Sequence, residues 1–347
     1  MARPEAANAV GAFSATGGPV LNTKSQLLKI LEDNKDSYIS GEELAKSLAV
    51  SRNAVWKAMN SLRADGYSIP ALTNRGYRLD CDGDILSAEG IGRYIKTDGV
   101  FHIETRKTVT STNTVLRELA GKGAPEGYVL AANEQTGGRG RLGRNFYSPA
   151  GHGVYFSLLL RPGSKSTDAS LITSAAAVAV ARAVEEVTGV KLGIKWVNDL
   201  YTDGKKVCGI LTEATYGIES GIVETAILGI GINVTRPDEG FPGTLKGSAG
   251  AIHRDTTVTA NERCRLVAAT LDNFRAFYKD IQDRAFLEEY RERSIILGKD
   301  IYVINEEREK PAAAIGIDDD CGLIVRYEDG KTATLRSGEV SIRQTES

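Results

Sequence analysis

The sequence is short of the residues that build metal sites and covalent cross-links. Its 347 residues include four cysteines, Cys81, Cys208, Cys264 and Cys321, far apart and without a C-x-x-C pair. That spacing argues against a zinc site and a disulfide framework, and it suits a reducing compartment. Histidine is also scarce: His102, His152 and His253 are the whole set. No Ser-His-Asp or Cys-His signature accompanies them, so they read as structural or exposed. No run approaches the roughly 20 apolar residues needed to cross a bilayer, and the first residues lack the charged flank and apolar stretch of a secretory signal. A cytoplasmic protein, with no membrane partner, is expected. Nor does one charge dominate: 43 Lys and Arg face 45 Asp and Glu, for a formal net charge of -2. Anion binding therefore has to come from local placement of cations.

Residues 1–22 are rich in Ala and Gly and carry no sustained period, so a mobile tail is expected there. From Thr23 the pattern changes, as Leu27, Leu28, Ile30 and Leu31 recur at helical spacing. Ser40 and Glu43 have the spacing of a capping box before a second short helix, and Ser51 is placed to cap a third. In that third helix Ala54, Val55, Met59 and Leu62 make an inner face, and Arg52, Asn53, Trp56, Lys57 and Asn60 an outer one. The stretch GYSIPALTNRGYRL then reads as a hairpin turning at Asn74, Arg75 and Gly76, with Arg75 and Arg78 placed for phosphates. Two tightly joined helices, the second presenting Arg, Asn and Lys, followed by a basic wing, are what a helix-turn-helix needs to meet base edges and phosphates. DNA binding is expected of this head. A small helical domain with a solvated face is the competing reading.

From about Phe101 to Gly298, strand-like runs such as GYVLAAN, GVYFSLLL, LGIKWV and TAILGIGINV alternate with a long helix, DASLITSAAAVAVARAVEEVTG. This pattern predicts a mixed α/β or α+β domain. Between the first two strands, at an expected sheet edge, lies NEQTGGRGRLGRNFYSP, residues 133–149. Its glycines let backbone N–H groups approach an anion, and Arg139, Arg141 and Arg144 add planar forks that suit carboxylate or phosphate. A plain Arg/Gly surface loop is the alternative. Upstream, Ser111, Thr112 and Asn113 offer short donors and acceptors in a turn or helix cap. Downstream, Asp203-Gly204 marks a hairpin turn. Lys195 lies inside an apolar strand between Ile194 and Trp196, where a cation is costly unless an anion meets it or its head snorkels to the surface. The last segment shows short alternating strands and a turn at Asp329-Gly330.

The segments STN, EQTGGRGRLGRNFYSP, KWVNDLY, KKVCGILTE and LGIGINV, in this order and at these separations, resemble the biotin protein ligases. With its head, the chain is similar to the bifunctional biotin ligase/repressors, over nearly everything after the tail. The resemblance implies an α+β multidomain fold. It consists of a winged helix-turn-helix at 23–85, a central mixed-sheet ligase domain of the biotin/lipoate ligase type at 86–297, and an SH3-like β-barrel at 298–347. It also implies that Ser111, Thr112, Asn113 and Gln135 bind the biotin head group, and that Arg139, Gly140 and Arg141 close over biotin and the adenylate phosphate. Lys195 is implied to bridge the biotin carboxylate and the ATP α-phosphate, acting in catalysis with Arg139 and Arg141. Arg141, Arg144, Phe146 and Asn233 are implied to serve the nucleotide. Two departures are visible, Val197 where the family often has Pro and Phe146 where it often has Trp. Mg2+ with ATP, a biotin carboxyl carrier domain, operator DNA and a homodimer complete what the resemblance implies. A lipoate-protein ligase is the nearest rival, but it would lack the GRGRLGR pattern and the DNA-binding head. A biotin-sensing repressor without catalysis is another, and the retained Lys195 and three loop arginines argue against it.

Overall fold

The computed structural model describes residues 23–34, 37–80, 83–97, 99–163, 169–217, 222–255, 258–305 and 308–342; the expected tail at 1–22 and Cys81 lie outside them. Helices α1 (Thr23–Asp33), α2 (Gly41–Ser47) and α3 (Arg52–Ala64) build the head. The capping box forms: Glu43 N donates to Ser40 Oγ at 3.1 Å, and Ser40 N donates to Glu43 Oε2 at 2.9 Å. Ser51 Oγ caps α3 by accepting from Ala54 N at 3.2 Å. Leu27, Leu31, Leu44, Val55, Met59 and Leu62 bury their side chains in a core of the head's own. The wing pairs β1 (Ala71–Leu72) with β2 (Gly76–Tyr77), antiparallel. Asn74 turns it in the left-handed region, and Gly76 sits so close to the Ile39 carbonyl that a Cβ would collide with it.

The chain continues through α4 (Ala88–Tyr94), β3 (His102–Val109), α5 (Thr112–Gly121), β4 (Tyr128–Gln135), β5 (Gly153–Leu160) and α6 (Ala169–Thr188). Then come β6 (Gly193–Lys195), β7 (Asp199–Thr202), β8 (Lys205–Tyr216), β9 (Val223–Asn233), α7 (Glu262–Tyr278) and α8 (Leu287–Glu292). The strands form one seven-stranded sheet in the order β3-β4-β5-β9-β8-β7-β6. Only the β3–β4 pair is parallel. Helix α6 is apolar nearly all round because it is enclosed in the main core with residues of the sheet and α7. Helix α5 covers the other face, with Leu116 and Leu119 against Leu130, Leu159 and Ile227. Strand β5 is buried along its whole length, as its unbroken apolar run demands. The Arg/Gly loop joins β4 to β5, the second and third strands of the sheet. It therefore leaves the sheet's interior, and the expectation of an edge position is corrected.

Strands β10 (Asp300–Asn305), β11 (Arg308–Ile317), β12 (Leu323–Tyr327), β13 (Thr332–Leu335) and β14 (Glu339–Ile342) form an antiparallel sheet in the order β13-β12-β11-β10-β14. The expected SH3-like barrel is not closed: β13 and β14 are opposite edges, and no ladder joins them among the described residues. Ile301, Val303, Leu323, Val325 and Val340 instead share one core with the central domain, including Trp196. Trp196 Nε1 donates to the Cys321 carbonyl at 2.9 Å. A sheet face covered in this way leaves water without closing on itself.

Candidate active site

At the end of the central sheet where β4 stops and β5 starts, a cleft of about 320 Å³ opens beside the C-terminal sheet. It is lined by every residue that the resemblance assigned to biotin, nucleotide or catalysis. Its floor is glycine. Gly209, Gly231 and Gly229 lie on the adjacent strands β8 and β9, with Gly209 opposite Gly231. A Cβ at Gly231 would strike the Phe146 ring, and one at Gly229 would strike the Asn113 amide. The glycines therefore let the Phe146 ring and the Asn113 amide pack directly on the sheet.

One end of the cleft is built from α5 and β4. Ser111 occupies the N-cap position of α5 but makes no side-chain cap bond. Ser111, Thr112 and Asn113 are buried. Thr112 N donates to Gln135 Oε1 at 2.9 Å, and Gln135 Nε2 donates to Ser148 Oγ at 2.9 Å. Asn113 Nδ2 donates to Glu213 Oε2 at 2.8 Å. Behind them the buried Ser157 Oγ lies 2.7 Å from Thr112 Oγ1 and 2.6 Å from Asn113 Oδ1.

The Arg/Gly loop forms the rim. Arg139 bridges to Asn145, and the turn between them passes through Leu142 in the left-handed region, 77% exposed. Gly140 N donates to the Arg144 carbonyl at 2.7 Å. Each arginine has a different partner. Arg139 Nη1 lies 3.5 Å from Glu213 Oε1, and Arg141 Nη1 donates to Asn198 Oδ1 at 3.1 Å. Arg144 grips Glu339 of β14 with both prongs, at 2.7 and 2.6 Å. That fork holds the Glu339 carboxyl below the usual carboxylate range and raises the already high pKa of Arg144.

Two lysines line the cleft. Lys195, at the end of β6, is half-buried with its Nζ 5.8 Å from the Tyr201 ring centroid. Burial pushes its pKa down, against the pull of Asp199 and Glu339. Lys206 was not singled out in the sequence. It stands opposite Tyr201 on β8 and reaches across to Asp199, with Nζ 2.7 Å from Asp199 Oδ1. It lies over Gly209, where a Cβ would come within 3.3 Å of its Nζ. The KWVND and KKVCG segments hold the only sequence signal for this pair. Their carboxylate and ammonium meet because the Asp203-Gly204 turn folds β7 onto β8.

On the side that the resemblance assigns to the nucleotide, Asn233 is buried and its Nδ2 donates to the Gly250 carbonyl at 2.9 Å. It ties down the segment that also pairs with Lys206, through Lys206 N to Ser248 O at 2.9 Å and Gly250 N to Lys206 O at 2.8 Å. Asn233 thus supports the wall, while Phe241 and Leu245, not foreseen from sequence, face the space. Phe146 stands edge-on to Tyr155, with centroids 6.4 Å apart.

The remaining candidates lie elsewhere. Arg52, Asn53, Trp56, Lys57 and Arg75 are exposed on the head, Trp56 by 55%, and Asn60 is half-buried. Arg78 stacks over the Tyr38 ring at 5.2 Å and is less free than expected. His152 pairs with Thr235 and His253 with Glu262, and none of the three histidines lines the cleft. Cys208, Cys264 and Cys321 are buried free thiols with pKa values pushed up by burial. Among the described residues no cluster of His, Cys, Asp or Glu is arranged to hold a metal, and no helix is long and apolar enough to cross a membrane.

Comparison with known proteins agrees with this layout. Residues 105–233 match the Biotin/lipoate A/B protein ligase family, residues 23–78 an HTH domain, and residues 296–343 the Biotin protein ligase C terminal domain. The Bifunctional ligase/repressor BirA of Bacillus subtilis is 33% identical over 314 residues, covering 88% of this chain and 95% of that protein. The protein of the same name from Escherichia coli is 27% identical over 315 residues, covering 89% and 94%. The biotin protein ligase from Aquifex aeolicus in complex with biotin and ATP superimposes with a TM-score of 0.60 at 29% identity, covering 70% of this chain and 99% of that one. With a helix-turn-helix head, a central ligase sheet and a matching C-terminal sheet domain, the chain belongs to the bifunctional biotin ligase/repressor family.

Proposed function

We propose that the protein is an ATP-dependent biotin protein ligase that also represses transcription with biotinyl-5′-adenylate as corepressor. The observation that carries the enzymatic half is the gathering of all the residues assigned to biotin, nucleotide and loop closure in one cleft that two lysines also line. A biotin carboxylate and an ATP triphosphate repel one another, so cations must hold them in line. Lys206, fixed by Asp199 over the glycine floor, stands at their junction. Lys195 meets the phosphate side, and Arg139, Gly140 and Arg141 close from the rim, with Arg144 and Phe146 at the nucleotide. The carboxylate oxygen attacks the α-phosphorus and pyrophosphate leaves. An amine of a carrier-domain lysine then attacks the acyl carbon and AMP leaves. No protein nucleophile is needed. Mg2+ bound with ATP would supply charge neutralisation for the departing pyrophosphate. Asp199 and Glu339 are the carboxylates at the cleft that would be available to hold it, each already paired with a cation.

The test is transfer: with biotin and MgATP, a biotin carboxyl carrier domain gains biotin on one lysine, and lipoate gives no product. Transfer of lipoate at a comparable rate would favour the rival ligase. A further expectation concerns pH. A lysine whose pKa is lowered loses its charge as pH rises through that lowered value, so kcat/KM for ATP should begin to fall below the ordinary lysine pKa of about 10.4. Lys195→Arg should move that alkaline limb upward; an unmoved limb would mean that Lys195 does not carry it.

The repressor half rests on the head. Arg52, Asn53, Trp56, Lys57, Asn60 and the wing's Arg75 face DNA, and one such head makes few phosphate contacts, so two heads in a homodimer bind a two-fold operator. The protein acts in the cytoplasm, and 23–85, 86–297 and 298–347 are its working units. Biotinyl-adenylate should tighten both dimerisation and operator binding, and because dimerisation and operator binding are linked, operator should in turn tighten dimerisation. Sedimentation and operator titration at fixed salt check this; ligand-independent values of both would leave only the ligase.

A further inference from the structure

Glu213, on β8, lies one residue behind the end of the cleft that receives the ligand's head group, and it is not itself among the lining residues. Its Oε1 is 2.5 Å from Arg117 Nη2 and 3.5 Å from Arg139 Nη1, and its Oε2 accepts from Asn113 Nδ2 at 2.8 Å. Asn113 Nδ2 also points at the Leu211 carbonyl, 3.3 Å away. A carboxylate and a carbonyl on one side settle which way the buried amide faces, since only its NH2 can meet two acceptors. Asn113 Oδ1 is therefore turned to Ser157 Oγ, 2.6 Å away.

The consequence runs along a chain of hydroxyls. Ser157 has one proton, and a contact of 2.6 Å to a carbonyl oxygen requires it, so Ser157 donates to Asn113. At the 2.7 Å contact with Thr112 Oγ1, Ser157 then accepts and Thr112 donates, in preference to the longer 3.2 Å contact from Thr112 Oγ1 to Gln135 Oε1. Every proton points toward Glu213. Thr112 Oγ1 has then given up its only proton and, as part of a residue that lines the cleft, has only lone pairs left to offer a ligand. Gln135 Oε1, already accepting from Thr112 N, adds no donor there.

We propose that Glu213 is a specificity-determining positioning residue: through Asn113 and Ser157 it keeps the head-group end of the cleft an acceptor surface, which selects a ring that donates N–H. This rests on the biotin ligase reading, in which that ring is the cyclic urea. Reversing the chain turns a hydroxyl proton toward the ligand and sets donor against donor, and a site built to pair with a substrate N–H discriminates strongly against analogues that lack it.

The experiment compares biotin with an isosteric analogue whose two ureido N–H groups are replaced by oxygen, in the unaltered protein and in Glu213→Gln. The introduced amide has one oxygen, which Arg117 claims, and its NH2 faces Asn113 and turns that amide over. Expected are a rise of about tenfold in KM for biotin, the loss of one ordinary hydrogen bond, with KM for ATP and kcat within about twofold. The preference for biotin over the analogue should fall by about tenfold. Ser157→Ala, which cuts the chain in the middle without touching either arginine, should give the same loss of preference. Loss of affinity for both ligands in equal measure, or an unchanged preference in both variants, overturns the proposal. An unaltered protein that fails to bind biotin at all overturns the ligase reading and this inference with it.

Discussion

Replacing Lys206 with alanine is expected to slow biotin-dependent pyrophosphate release at least about a hundredfold, the usual size of losing one preorganised charge aimed at a developing anion. The ammonium is positioned before substrate arrives: Asp199 holds it at 2.7 Å, and the absence of a side chain at Gly209 lets it lie down on the sheet. It does not need to reorganise when charge builds up on the α-phosphate, so its loss should appear in kcat as well as KM. Lys195→Ala is expected to act in the same direction, with more of its effect in KM for ATP, in keeping with its proposed place at the phosphates. Single-turnover formation of the adenylate measures both. Near-normal rates in Lys206→Ala would return the junction to Lys195 alone, and near-normal rates in both variants would remove the lysines from the mechanism.

The second large effect is on stability. Arg263, at the start of α7, is buried. Its Nε donates to Asp84 Oδ2 at 2.6 Å, its backbone N to Asp84 Oδ1 at 3.0 Å and its Nη1 to Asn133 Oδ1 at 2.7 Å, while Nη2 reaches the Asp84 carbonyl. Asp84 lies in the segment that leaves the winged helix, so one guanidinium fastens the head's exit to α7 and to β4. Arg263→Ala leaves the largely buried Asp84 carboxylate without its counter-charge, and a loss of about 3–5 kcal/mol is expected. Changing both partners to apolar residues, Arg263→Met with Asp84→Leu, should recover most of it, because no charge then remains buried. Urea unfolding of the three proteins checks this. Equal stability of the single variant and the unaltered protein, or a double variant as weak as the single one, would show that the pair does not clamp the head.

Much of this was legible in the sequence because it is local. Ser40 and Glu43 fix a helix start within four residues, Asp203-Gly204 fixes a hairpin, and the unbroken run of β5 needs a strand buried on both faces. The loop arginines stood out by their glycine company. Lys206 and Glu213 did not, because a lysine next to Lys205 and a glutamate on a half-exposed strand look like solvated charges until the β7–β8–β9 register sets them against Asp199 and Asn113. Strand β3, with Arg106 and Lys107 exposed, pairs on one side only and lacks the apolar run of an interior strand. The C-terminal strands alternate as a barrel's would, but whether such a sheet closes depends on what covers its face, and here the central domain does.

The measurement that bears most directly on the account is pyrophosphate release from MgATP by the purified protein, with biotin present, absent, or replaced by lipoate. Release is expected to require biotin, to stop after about one equivalent while the adenylate stays sheltered under the arginine loop, and to resume when a carrier domain is added. Release indifferent to biotin, or none at saturating biotin and ATP, would contradict it.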